Sequence, residues 1–129
     1  MKYLISKVAL FFSGMLTLVV VVQAQIPVDI VESIQNGNDL KLASFFNENI
    51  EMEVLARKDV YSKAQGRQIV AEFFKANKPK QFNMIHQDKN ETFWYAVGSL
   101  KTNTGFFRVY LVLKIRDNKP YIHQLKIWK

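Results

Sequence analysis

The chain has 129 residues, a formal charge of +7 and no cysteine. That length holds one domain. Without Cys there is no disulfide framework, no thiolate metal site and no lipid-modified cysteine to hold an exported protein to a membrane.

Lys2 and Lys7 flank the start of an uncharged run, Val8 to Val22, which ends at Val22-Gln23-Ala24 ahead of Gln25. A basic start, an apolar middle and a cleavage-like site predict a secretory signal peptide over residues 1–24. A spanning helix wants ~20 apolar residues, and lengthening this run toward the start meets Lys7. The expected product is a single domain over 25–129, exported to the periplasm or the medium and free of the membrane after cleavage. Lys2 and Lys7 leave with the signal, taking the charge from +7 to +5. The remaining basic residues are scattered. The densest group, Lys75, Lys78 and Lys80, is followed by Gln rather than by aromatics, which reads as a solvated surface and not as a nucleic-acid groove.

In chain order, Pro27 suits a helix start, with Val28, Ile30, Val31 and Ile34 on one side and Gly37 at the end. Asn38 or Asp39 caps a second helix in which Leu40, Ala43 and Phe46 repeat at helical spacing. Ile50, Met52, Val54 and Ala56 then alternate with Glu51, Glu53, Leu55 and Arg57, the period of a half-buried strand. Arg57-Lys58-Asp59 is expected to turn the chain into a return strand, Val60 to Lys63. After Gly66, the apolar stripe Ile69, Val70, Phe73 and Phe74 predicts a third helix, which Pro79 prevents from continuing. Four strands follow, over 81–87, 92–101, 106–116 and 121–128, separated by turn-forming Asp, Asn, Gly and Pro. The order ααββαββββ is an α+β domain, a curved and mainly antiparallel sheet with three helices on its concave side.

With hairpin tips at Asn103-Thr104 and Asn118-Lys119, antiparallel pairing assigns side chains to two faces. One gathers Trp94, Ala96, Gly98, Leu100, Phe107, Val109, Leu111, Leu113, Ile115, Ile122 and Trp128, with Gln124 and Lys126 as polar intruders. The other gathers Phe93, Tyr95, Val97, Tyr110, Val112, Tyr121, Leu125 and Ile127, with Arg108, Lys114 and His123. Three short helices cover one side only, and soluble chains rarely leave a continuous apolar patch bare. A homodimer through the convex face is therefore expected, carried by Tyr95, Val97, Tyr110, Val112, His123 and Leu125.

Gly37-Asn38-Asp39-Leu40 through Phe45-Phe46, and Gly66 through Phe74 entering the third helix, resemble the nuclear transport factor 2-like superfamily, the cone fold shared with ketosteroid isomerase. More narrowly, the chain looks like small exported bacterial members grouped as a domain of unknown function. The resemblance spans Ile26 to Trp128 and implies a cup open at one end. It does not select a chemistry, since the superfamily hosts isomerases, dehydratases, binding modules and transport adaptors.

An isomerase in such a cup needs a carboxylate base and hydroxyl or acid donors. Tyr61, Tyr95 and Tyr110 are available, but no Asp or Glu lies between Thr92 and Arg116, and Glu51 and Glu53 alternate away from the apolar side. His86 and Asp88 share a strand face without a third ligand, so no metal is expected. Neither a Gly-x-Ser-x-Gly elbow nor a phosphate-cradling Gly loop occurs, and no cofactor is implied. Trp94, Gln124, Lys126 and Trp128 are the expected lining for a small ligand, aromatic walls with a donor and a charge. The reading is an exported, non-enzymatic ligand-binding or protein-interaction module. A small-molecule isomerase or lyase working in the cone cavity is the alternative.

Overall fold

The computed structural model describes Gly14, residues 16–18 and residues 25–129. The expected signal peptide thus lies almost wholly outside the described residues. Helix α1 (Val28–Gln35) is followed by α2 (Asp39–Ala43), strands β1 (Phe46–Val54) and β2 (Arg57–Ser62), helix α3 (Lys63–Ala76), and strands β3 (Pro79–Lys89), β4 (Phe93–Thr102), β5 (Gly105–Arg116) and β6 (Lys119–Trp128). The order is ααββαββββ, as expected.

Local chemistry sets the ends of the helices. Gly37 takes φ +64°; with the chain so turned, Asn38 N–H reaches Ser33 O at 2.8 Å and closes α1. The Asn38 side chain accepts from Lys41 N–H at 3.0 Å, capping α2. Ser62 and Gln65 form a reciprocal capping box at α3. Gly66, Ile69, Val70, Phe73 and Phe74 make the buried stripe of that helix. A Cβ on Gly66 would lie 2.9 Å from Met52 Sδ, so the glycine lets α3 settle on β1.

The six strands form one curved, unclosed sheet in the order β2-β1-β6-β5-β4-β3. All neighbours are antiparallel except β1 and β6, which run parallel. The helices pack on one side of it. Between them and the sheet, Ile30, Ile34, Ile50, Leu100, Leu111, Leu113, Ile122 and Leu125 are all but inaccessible. We call this the covered face and the other the open face.

Several expectations change. Val28 and Leu40 point to solvent, at 65% and 61% exposure, while Ser33 and Leu42 take the buried positions. Helix α2 ends at Ala43, and Phe46 packs into the core from β1. The first hairpin turns at Leu55-Ala56, with Leu55 at φ +54°, so Arg57-Lys58-Asp59 lie in β2. The last hairpin turns at Asp117-Asn118, where both residues have positive φ, the requirement of a type I′ turn.

The largest correction lies in β6. Leu113 pairs with Ile122 but Val112 pairs with Gln124, so His123 is an extra residue in the ladder. One inserted residue inverts every side chain beyond it. Leu125 and Ile127 therefore enter the core, at 0% and 2% exposure. Gln124, Lys126 and Trp128 move to the open face.

Candidate interaction surface

The open face draws its side chains from alternate positions of the same strands that build the core. Strand β4 contributes Phe93, Tyr95 and Val97, and β5 contributes Phe106, Arg108, Tyr110, Val112 and Lys114. Strand β6 contributes Tyr121 before the bulge and Gln124, Lys126 and Trp128 after it. The rings pair along the strands and across them. Phe93 and Tyr95 have centroids 6.1 Å apart, and Tyr110 and Trp128 6.2 Å apart. Cations lie over them: Lys114 Nζ is 5.1 Å from the Phe93 centroid, Lys126 Nζ is 5.8 Å from that of Trp128, and the Arg116 guanidinium is 4.6 Å from Tyr121. Alkyl stems and charged heads thus shield part of the aromatic surface. Phe106 is less shielded, 63% exposed at one end of the face.

Two depressions mark this side. A groove of ≈ 490 Å³ between β1, β2 and β6 carries Glu51, Glu53 and Asp59 together with Lys58 and Lys126. Gln124 Nε2 donates to Glu51 Oε2 there, at 3.2 Å. A smaller recess of ≈ 280 Å³ is lined by Asn47, Lys114, Ile115, Arg116, Tyr121 and His123.

The expected ligand-binding set does not converge. Trp94 is on the covered face, packed against the core with Lys89 Nζ 4.9 Å from its ring, whereas Gln124, Lys126 and Trp128 are on the open face. Of the expected dimer set, Tyr95, Val97, Tyr110 and Val112 share the open face. His123 sits at the bulge and lines the smaller recess, and Leu125 is core. Phe106, Asn47 and Arg116 were not anticipated as surface-site residues. The alternation of β5 places Phe106 opposite buried Phe107, a signal that was readable; the position of Asn47 depends on an irregularity in β1 that was not.

The interior is apolar, and a recess of ≈ 260 Å³ between α3 and the β1–β2 hairpin reaches the buried residues Val54, Ile69 and Phe73. Its buried polar residues, Ser33 and Thr102, spend their hydroxyls on the carbonyls of Ile30 and Gly105 at 2.7 and 2.9 Å. Tyr61 packs against the core from β2, while Tyr95 and Tyr110 belong to the open face. His86 and Asp88 pair with Val97 and Tyr95 at the β3 edge. Among the described residues no group of three or more His, Asp or Glu is placed to hold a metal. No described helix is long and apolar enough to cross a membrane.

The family Domain of unknown function (DUF4783) matches residues 27–127. Crystal structures of two of its members are similar over nearly their whole length. The protein from Bacteroides ovatus is 28% identical with a TM-score of 0.76, over 81% of this chain and 96% of that one. The protein from Bacteroides uniformis is 27% identical with a TM-score of 0.77, over 81% and 97%. An NTF-2 like protein of unknown function from Silicibacter pomeroyi shares the fold alone, at 10% identity and a TM-score of 0.58 over 77% and 85%. No curated protein matches the chain. With a family match that runs from α1 to the end of β6, the protein belongs to the DUF4783 family of domains of unknown function and has the nuclear transport factor 2-like fold.

Proposed function

We propose that the protein is an exported, non-enzymatic interaction module that pairs with a second copy of itself through the open face. The observation that carries this reading is an aromatic and aliphatic surface on the side of the sheet that no described helix covers, from Phe106 and Trp128 at one end to Phe93 and Tyr121 at the other. Charge adds to it. The carboxylates Glu51 and Glu53 are on β1, near one edge, while Arg108 and Lys101 are on β5 and β4 toward the other. A two-fold axis along the strands sets the acidic edge of one copy against the basic edge of its partner, in a self-complementary contact. Among the described residues none of these open-face charges forms an ion pair within one chain; the three ion pairs all involve a helix. The apolar interior, whose buried hydroxyls are already bonded, supports a role without catalysis.

Sedimentation equilibrium on the protein purified from cells expressing the full chain tests the pairing. A concentration-dependent dimer is expected, converted to monomer by Tyr110→Glu or Val97→Glu with a monomer fold stable to within about 1 kcal/mol. A single monomeric species at every concentration would overturn it. Export is tested by N-terminal sequencing of protein recovered outside the cytoplasm, which is expected to start at Gln25. Retention of Met1 would remove that part.

One observation favours a small ligand in the interior as a second reading. Trp94 Nε1 is buried without a hydrogen-bond partner, a cost of about 1–3 kcal/mol that a bound acceptor would relieve. Native mass spectrometry of protein isolated without denaturation is the check. An adduct lost on Trp94→Phe supports this reading, and a bare chain removes it.

A further inference from the structure

We infer that the ≈ 280 Å³ recess at the Arg116 end of the open face is a binding site for a tetrahedral oxyanion, a phosphate or sulfate group. Two backbone irregularities create it. Strand β1 loses its register with β6 between Phe46 and Glu51, and β6 carries the extra residue His123. Bulges of this kind open space at a sheet surface and re-aim side chains. Here they leave Asn47, Arg116, Tyr121, His123 and Lys114 around one hollow, which is more enclosed than the groove beside Glu51 and Glu53.

The chemistry of the wall is one-sided. Lys114 puts a cation at the rim, its Nζ 5.1 Å over the Phe93 ring, while Arg116 brings a planar fork and Tyr121 and His123 an O–H and a ring N–H. The one amide acceptor, Asn47 Oδ1, already accepts from Arg116 Nη2 at 3.2 Å, and Asn47 Nδ2 donates to Asn49 O at 3.1 Å. No carboxylate lines the recess, although Glu48 and Asp117 are sequence neighbours of its members. Neither Lys114 nor Arg116 has an ion-pair partner among the described residues. The larger groove has acids and bases together and so no comparable bias.

The guanidinium is also oriented before anything binds. It stacks on Tyr121 at 4.6 Å and is tethered by Asn47, so less side-chain freedom is lost on engaging an anion. Donors from β5 and β6 outnumber what the two oxygens of a carboxylate can accept, which favours phosphate or sulfate. Charge-assisted bonds to such an anion are the strong ones.

The test is titration of the ¹⁵N-labelled protein with inorganic phosphate, sulfate and acetate at constant ionic strength, followed by amide shifts. Saturable shifts centred on Lys114, Arg116, Tyr121 and His123 are expected with phosphate and sulfate, and weaker ones with acetate. Arg116→Gln and Lys114→Gln are each expected to weaken phosphate binding roughly tenfold, while Lys126→Gln, elsewhere on the same face, leaves it within about twofold. A dispersed amide spectrum certifies each fold, and either recess variant suffices if the other does not fold. The absence of saturation with both tetrahedral anions would overturn the site, as would equal losses in all three variants. The same affinity is expected in Tyr110→Glu, so the site stands or falls apart from the dimer. A loss of binding there would show that one chain does not hold it.

Discussion

The two faces of the sheet are written on the same strands, one residue out of step, and they solve opposite problems. On the covered face, Leu100, Leu111, Leu113 and Ile122 meet helices and lose all contact with water. On the open face, Phe93, Tyr110, Tyr121 and Trp128 meet lysine and arginine side chains and keep part of their surface wet. Electrostatics divides the same way. The ion pairs Lys41–Asp29, Arg57–Glu72 and Arg67–Asp39 bind helices to each other or to β2, whereas the open-face charges form no ion pair among the described residues. The difference teaches what to look for in a sheet that is apolar on both sides. On the covered side three ion pairs tie the helices to one another or to β2, while on the open face the cations lie over aromatic rings instead.

The sharpest way to break this comparison is to move one residue along β4. Leu100 is fully buried and Lys101, its neighbour, is exposed. Leu100→Ala is expected to cost about 2–5 kcal/mol, transfer free energy plus the cavity left behind, and Lys101→Ala less than about 0.5 kcal/mol. Urea unfolding of both variants checks it, and similar losses would mean that the two faces are not distinct. Gly98 offers a second step of the same kind. The far end of the Phe82 ring lies over it, so a Cβ there would fall 2.1 Å from Cε1 and 2.3 Å from Cζ. Gly98→Ala is expected to destabilise by about 2–3 kcal/mol through overpacking, while Ser99→Ala on the open face is near neutral.

This alternation was legible in β4 and β5, because neither strand has an irregularity and the hairpin tip at Asn103-Thr104 sets their register. Trp94, Ala96, Gly98, Leu100, Phe107, Val109, Leu111 and Leu113 all fall on the expected face. It failed in β6. Gln124 and Lys126 alternate with Leu125 and Ile127 as regularly as in an unbroken strand, and nothing in Tyr121-Ile122-His123-Gln124 announces an inserted residue. Only the competing burial of Leu125 and Ile127 against β1 decides the register, and that is a tertiary effect. The turn at Asp117-Asn118 was readable in principle, since Asp and Asn tolerate positive φ better than Lys119. The Arg116 recess was not, because it needs the β6 bulge and the β1 irregularity together.

Ser62 tests a smaller effect at the seam between the two sides, where β2 gives way to α3. Its hydroxyl accepts from Gln65 N–H at 3.2 Å, and Gln65 Oε1 accepts from Ser62 N–H at 3.1 Å. Ser62→Ala removes half of the box and is expected to cost about 1 kcal/mol. Thermal unfolding measures it. Ser62→Asp, which restores an acceptor and adds a favourable charge at the helix start, is expected to recover most of the loss.

The smallest effect bears most directly on why charges differ between the faces. Arg57 Nη1 lies 2.9 Å from Glu72 Oε2, joining the edge strand β2 to α3, with both side chains more than half exposed. Water screens such a pair, and ordering two long side chains offsets part of the attraction, so its coupling is expected at about 0.2–0.5 kcal/mol. A double-mutant cycle with Arg57→Gln and Glu72→Gln measures that term, which should shrink as salt is added. If it is this small, leaving Lys114, Arg116 and Lys126 without intrachain partners costs the fold little, and the open face can hold its charges for a ligand or a second copy. A coupling several times larger, persisting in salt, would mean that pairing on the covered side contributes materially to stability. The unpaired open face would then be a sacrifice in the isolated chain, and dimer formation would have to return it.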